Sequence, residues 1–297
     1  MMSEKIEFPL KSSFVPAVLE PSAKIKFDCH TGISCFNACC KHADIQLTPY
    51  DILRLKDNLG VSATDFLKNH TIPFEMDKDG VPGVKLRTDN GGACDFVTEE
   101  GCSVYKDRPT ACRYYPVGQL ALKEADAPEE ETRNFLIQED HCKGHGEDRE
   151  TAVDDYRHEQ EVELYDQINR EWLQLILKKR SAGPAIGRPS DTSLQFFFMC
   201  SYDVDRLRRF VLTDSFKASY DMEDSFYERV ENEDLALMQF GVRLLKQVLF
   251  GDLTIPLKER AVAMRLKQRR EFLEMRKKAE IERHKQMQEQ QMKDALS

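Results

Sequence analysis

Residues 94–116 read CDFVTEEGCSVYKDRPTACRYYP, and this stretch sets how the first half of the chain is organised. Cys94 and Cys102 flank a turn at Glu99-Glu100-Gly101, which predicts a small hairpin with a cysteine on each arm. Cys112 follows just after Arg108-Pro109, where proline fixes its own backbone angle and restrains the residue before it. Working outward, Cys29, Cys35, Cys39 and Cys40 precede this stretch and Cys142 follows it, so eight of the nine cysteines lie between residues 29 and 142. Only Cys200 lies outside, beside the apolar run 196–199, where a thiol reads as a core residue.

Thiolates are strong ligands for zinc and for iron–sulfur clusters, and each such centre takes about four of them. Eight cysteines are enough for two four-thiolate sites or for one larger cluster. Cys39 and Cys40 are adjacent, so in an extended backbone they point to opposite sides and serve two metals, or leave one thiol spare. Four clustered thiolates concentrate negative charge, and Lys41, Lys106, Arg108 and Arg113 lie close enough in sequence to offset it or to sit as ordinary surface charge. Arg108 and Arg113 are the candidates for contact with a bound cofactor. His30, His42, His141 and His145 neighbour the cysteines and are secondary ligand candidates. His70, His158 and His284 belong to no constellation and read as surface residues.

The bulk properties bound the alternatives. The chain has 297 residues, 41 % hydrophobic, with a net charge of −9 that gives no general attraction to nucleic acid or anionic lipid. The N-terminal stretch has no apolar run of a secretory signal, and the run 194–200 is too short to span a bilayer. The expectation is therefore a cytoplasmic protein, where thiols stay reduced and dense cysteines point to metal or catalysis rather than to disulfides. No phosphate-binding loop, dinucleotide fingerprint or GxSxG elbow is present, and no catalytic residue is assigned.

Local signals place helices around the cysteines. Thr48-Pro49-Tyr50-Asp51 starts one that Gly60 stops, and Ser62 to Asp65 starts a second through His70. Alternation over 84–87 predicts a strand. Residues 150–179 carry a helical pattern through Tyr165, Ile168, Trp172 and Leu175. A linker is expected at 181–189, then a short apolar strand before a helix at 203–212. The clearest helix is 232–250, with Leu235, Met238, Val242, Leu245 and Leu249 as its stripe. Residues 257–292 hold helix formers without Gly or Pro and read as a solvated charged helix.

The cysteine pattern also resembles a known family. Cys39-Cys40, Cys94, Cys102, the Arg108-Pro109 to Cys112-Arg113 segment, Tyr115-Pro116, and Cys142 followed by Gly144 and Gly146 resemble the signature of the YkgJ-like cysteine-cluster family, described as zinc- or iron-chelating. Residues 46–52 resemble the helix start that follows the family's Cys-Cys pair. The spacing of Cys29 and Cys35 departs from the family's usual pattern. A branch of similar clusters occurs in flagellin lysine N-methylases.

The reading is an α-rich α+β protein. Residues 20–146 are expected to form an irregular cysteine-cluster metal domain, 150–256 a helical region and 257–297 a charged helical tail. The function expected is cysteine-ligated metal binding through Cys29, Cys35, Cys39, Cys40, Cys94, Cys102, Cys112 and Cys142, with an iron–sulfur cluster in a redox role. The rivals are a structural zinc module presenting a protein-interaction surface and a lysine-N-methylase-like enzyme. The helical C-terminal half is the surface expected to meet a protein partner.

Overall fold

Helix α1 (Pro49–Leu59) begins with the expected capping box. The Thr48 hydroxyl accepts from the Asp51 N–H, and the Asp51 carboxylate accepts from the Thr48 N–H at 2.8 Å. Gly60 ends it in a left-handed conformation. Ser62 caps α2 (Ala63–His70) by accepting from the Asp65 N–H. The computed structural model describes residues 14–41, 43–122, 131–181 and 189–264, with isolated positions to 275. The expected charged tail therefore lies mostly outside the described residues, as do most of the 181–189 linker and His42 and His284.

Short antiparallel ribbons surround these helices. A three-stranded sheet has β1 (Phe14–Leu19) at one edge, and two further ribbons join β2 (Lys24–Lys26) to a distant strand and β3 (Thr71–Glu75) to β4 (Pro82–Leu86). The predicted hairpin is present as β5 (Val97–Thr98) and β6 (Gly101–Cys102), with Val97 opposite Cys102. Cys94 lies just ahead of the first arm, bridged to Thr88. A short helix α3 (Thr110–Tyr114) leads into β7 (Val117–Leu122) and β8 (Glu131–Ile137), and β8 is the centre of the three-stranded sheet. Strand β9 (Glu150–Ala152) returns to pair with β2.

The helical pattern after residue 150 resolves into α4 (Val153–Glu159) and α5 (Val162–Ser181), broken where Glu161 takes a left-handed backbone. The apolar run 194–200 is not a strand. It belongs to α6 (Asp191–Tyr202), because Ser190 caps a helix start and Phe197, Met199 and Cys200 are all buried. Four further helices follow: α7 (Val204–Val211), α8 (Asp214–Ser219), α9 (Asp224–Asn232) and α10 (Asp234–Phe250), the last closed by Gly251. Helix α10 is buried more broadly than one stripe. Leu237 and Leu244 are 0 % exposed, whereas Leu235 in its first turn faces solvent.

The observed architecture is the helix-rich α+β class expected. One hydrophobic core links Leu55, Phe66, Val84 and Phe96 with Trp172, Tyr202, Leu207 and Leu244. This core draws residues from both the 20–146 and the 150–256 stretches. A smaller cluster of Ile25, Phe27, Val117, Val153 and Tyr156 packs against Cys142.

Candidate metal centre

The cysteines sit on loops and short turns that helices and ribbons hold in place. All nine are free thiols. Cys39 and Cys40 lie in a 3-10 turn, Ala38–Cys40, rather than in the extended backbone on which opposite directions were expected. The tight turn brings their sulfurs to 3.8 Å. Backbone hydrogen bonds bring distant segments to this turn. The Cys94 N–H donates to the Cys40 carbonyl at 2.8 Å, and the Lys143 N–H donates to the Cys35 sulfur at 3.1 Å. The Asp28 N–H donates to the Gly144 carbonyl at 3.1 Å, which sets Cys29 beside the loop that carries Cys142.

Glycine at 144 is required by that approach. A Cβ there would lie 2.7 Å from the Asp28 carbonyl oxygen and 2.8 Å from the Phe27 ring. At Gly146 a Cβ would meet nothing within 4 Å, so space does not explain the second closing glycine.

The thiols act on one another electrostatically. Loss of hydration, then the charges of Cys39, Cys35 and Cys142, push Cys29 up to about 11. Burial raises Cys94, Cys102 and Cys112, with neighbouring thiols adding to each, while Arg108 partly offsets the rise at Cys102. The Cys39 and Cys40 thiols hydrogen-bond each other. A hydrogen bond from Cys40, helped by His141 and by its own backbone N–H, brings Cys39 down to about 6, and Cys40 is raised in return. So many thiolates in one place repel each other unless a cation compensates them, which is the chemistry of a thiolate metal site.

The donor set fits such an ion. Four sulfurs at about 2.3 Å from a tetrahedral centre stand about 3.8 Å apart, the separation of the Cys39 and Cys40 sulfurs. Among the described residues, no group of three or more cysteine, histidine or carboxylate side chains already has the spacing of a bound ion. The thiols are neighbours that rotation of their side chains would have to close around a metal.

The motif's two arginines do different work. Arg113 is 1 % exposed. Its Nε donates to the Arg108 carbonyl, its Nη1 to the Gln160 carbonyl and the Glu161 carboxylate, and its Nη2 to the Lys106 carbonyl and the Tyr165 hydroxyl. Guanidinium has five N–H donors, and here all are spent within the protein. Arg113 therefore docks α3 onto the break between α4 and α5, which turns those acceptors toward it, and has no donor left for the cofactor contact expected of it. Arg108 lies over the exposed Tyr105 ring at 4.0 Å, bonds to the Tyr105 carbonyl and Gln160, and is the arginine whose charge reaches Cys102. Lys41 and Lys106 are exposed.

Sequence reading found only the capping role of Asp51. Its buried carboxylate caps α1 and also accepts from the backbone N–H and the hydroxyl of Thr110 at 2.8 and 2.6 Å. Asp107 is clamped in parallel by Arg54 and Asn58 of α1. The two motif segments, 46–52 and 108–113, are thus one structural unit. The capping box was visible in the sequence, but the second use of the same carboxylate was not.

The histidines take side roles. His30 faces Glu147 at 3.3 Å, His141 faces Glu139 at 3.5 Å, and His145 packs on Phe27 near the Tyr115 hydroxyl. His158 is exposed as expected. His70 is half-buried rather than fully exposed: it lies between Phe66 and Phe96, 3.5 Å from Asp95. Cys200 is buried in the helical core.

Residues 28–167 match the model of the CxxCxxCC family, described as a "putative zinc- or iron-chelating domain". No curated protein and no solved structure matches the chain. The matched span holds all eight clustered cysteines and runs past the α4–α5 break into α5. Among the described residues, no helix is long and apolar enough to cross a membrane.

Proposed function

We propose that this protein, whose residues 28–167 belong to the zinc- or iron-chelating cysteine-cluster family, binds its metal through Cys29, Cys35, Cys39, Cys40, Cys94, Cys102, Cys112 and Cys142 as an iron–sulfur centre with a redox role. The observation that carries the reading is the gathering of free thiols from separate chain segments around the Ala38–Cys40 turn, stitched by the Cys94–Cys40 and Lys143–Cys35 hydrogen bonds. All-sulfur ligation favours iron–sulfur chemistry, and N–H groups aimed at sulfur, such as that of Lys143, are a means by which a protein sets a cluster's potential.

The test is metal and acid-labile sulfide analysis of the full-length protein purified without oxygen. Iron with sulfide and a brown colour is the expected result. Stoichiometric zinc without sulfide replaces the redox reading by a structural zinc module, for which the 3.8 Å sulfur pair is equally suited. Protein that is folded and free of bound metal overturns both.

A further inference from the structure

We infer that a cleft in the helical half, walled by α5 and α9 and floored by α10, is a binding site for a small amphipathic carboxylate, a molecule with an apolar body and one acidic head. The inference does not rest on the metal-binding reading. It gives the C-terminal half a ligand of its own.

The cleft has a volume of about 280 Å³, close to the lower end of small-molecule sites. Helical periodicity builds it. On α10, Ala236, Gln239, Phe240 and Arg243 recur at three- and four-residue intervals and so share one face. Helix α5 contributes Ile168, and α9 contributes Phe226 and Arg229, three residues apart. Both walls are fastened to the floor. The Phe226 ring lies 4.6 Å from that of Phe240, and Lys246 of α10 donates to the Glu171 carboxylate of α5 at 3.1 Å.

Exposure sorts the lining by chemistry. Phe240 is buried and Ile168 and Phe226 are half-buried, whereas Gln239, Arg229 and Arg243 are exposed. The interior is therefore apolar and the mouth cationic, which orients an amphiphile with its body inward and its head at the arginines.

The charge at the mouth is open to a ligand. Arg54, Arg113, Arg149, Arg157 and Arg208 each meet a carboxylate of the protein. Among the described residues, Arg229 and Arg243 meet none. Arg243 donates from one nitrogen to the Thr254 carbonyl at 2.7 Å, which leaves further N–H groups of its five. The one carboxylate in the lining, Glu171, is answered by Lys246. A guanidinium fork matches the planar carboxylate in shape as well as charge. The chain's net charge of −9 works against attraction to an anionic bilayer, so the ligand is a free molecule held by these local groups.

The experiment uses the full-length protein with its metal as purified. Sodium octanoate, octanol and octylammonium are titrated in turn by calorimetry. We expect one octanoate per chain, bound about tenfold more tightly than either of the others, the gain of a hydrogen bond to a charged group. Arg229→Ala and Arg243→Ala should each weaken octanoate about tenfold and leave far-ultraviolet circular dichroism and metal content unchanged. Gln239→Trp, at an exposed position of the cleft, should block entry and abolish binding in a protein with the same circular dichroism. Sedimentation with phosphatidylglycerol vesicles should leave the protein in solution. Capture that the arginine variants abolish would assign the cleft to a membrane surface and overturn the proposal. Absence of octanoate binding, equal affinity for all three probes, or binding that both arginine variants retain overturns it too, and leaves the metal-binding reading intact.

Discussion

Helix α10 and the loops around Cys29, Cys39 and Cys142 belong to one chain but are held by different means. Helix α10 places Leu237, Leu244 and Leu245 at 0 % exposure within a core that also includes α1, α2 and α5 to α7. Burying a leucine is worth roughly 1.5–3 kcal/mol, so this layer is expected to persist without a ligand. The loop of Cys142 packs on the buried cluster of Ile25, Phe27, Val117, Val153 and Tyr156, and hydrogen bonds tie it to the loops of Cys29 and Cys35. Loops so thinly packed are the first to open unless something cross-links them. Between the two regions lies a polar clamp, Asp51 with Thr110 and Arg113 with the α4–α5 break, that couples the one to the other. The comparison teaches that the ion is expected to stabilise one end of the molecule while apolar burial stabilises the other.

Metal removal should break the comparison open most widely. With binding free energies of about 10 kcal/mol or more for structural thiolate sites, full chelation should raise amide hydrogen exchange across residues 27–41, 94–113 and 139–146. Protection within α10 should stay within a few fold of the loaded protein. Equal loss in both regions would show that the helical layer also depends on the ion.

Next in size is the clamp. Arg113→Met should lower unfolding free energy by about 3–5 kcal/mol in urea titration, because it strands buried carbonyls and the Tyr165 hydroxyl. It should also loosen metal binding, since α3 carries Cys112. A variant that loses less than about 1 kcal/mol would remove Arg113 from its docking role.

Leu244→Ala tests the other side of the contrast. A cavity at a fully buried position should cost about 2–5 kcal/mol, with metal stoichiometry unchanged in the folded protein. Loss of metal at concentrations of urea where the helices remain would contradict the separation of roles.

The smallest effects come from the two motif glycines. Gly144→Ala should cost about 1–3 kcal/mol by forcing the Asp28 backbone and the Phe27 ring away, and should weaken metal retention. Gly146→Ala, which meets nothing within 4 Å, should stay within about 0.5 kcal/mol of wild type. Thermal unfolding of the pair, side by side, reads the difference directly.

Local structure near the cysteines was legible wherever a single side chain speaks for its own backbone. Thr48 and Asp51, Ser62 and Gly60 marked helix ends that the structure reproduces, because caps act within a few residues. The run 194–200 misled, since continuous apolar residues suit a buried strand and a buried helix equally, and the cap at Ser190 decides between them. Strands β1, β2 and β9 went unread because their partners lie far off in sequence, as Lys24 opposite Ala152 illustrates; β7 and β8, which pair with each other, went unread as well.

By itself the sequence determined the chemistry available: eight thiols in one half of the chain, the Arg108-Pro109 to Cys112-Arg113 signature, and a leucine-rich helix near the other end. Those follow from residue type and short spacing. Only the tertiary structure decided that Asp51 and Arg113 serve docking, that Gly144 is a point of contact, and which cysteines are neighbours. Residues as far apart as Cys35 and Lys143 meet only after the intervening chain has folded, and no local preference encodes which loops will touch.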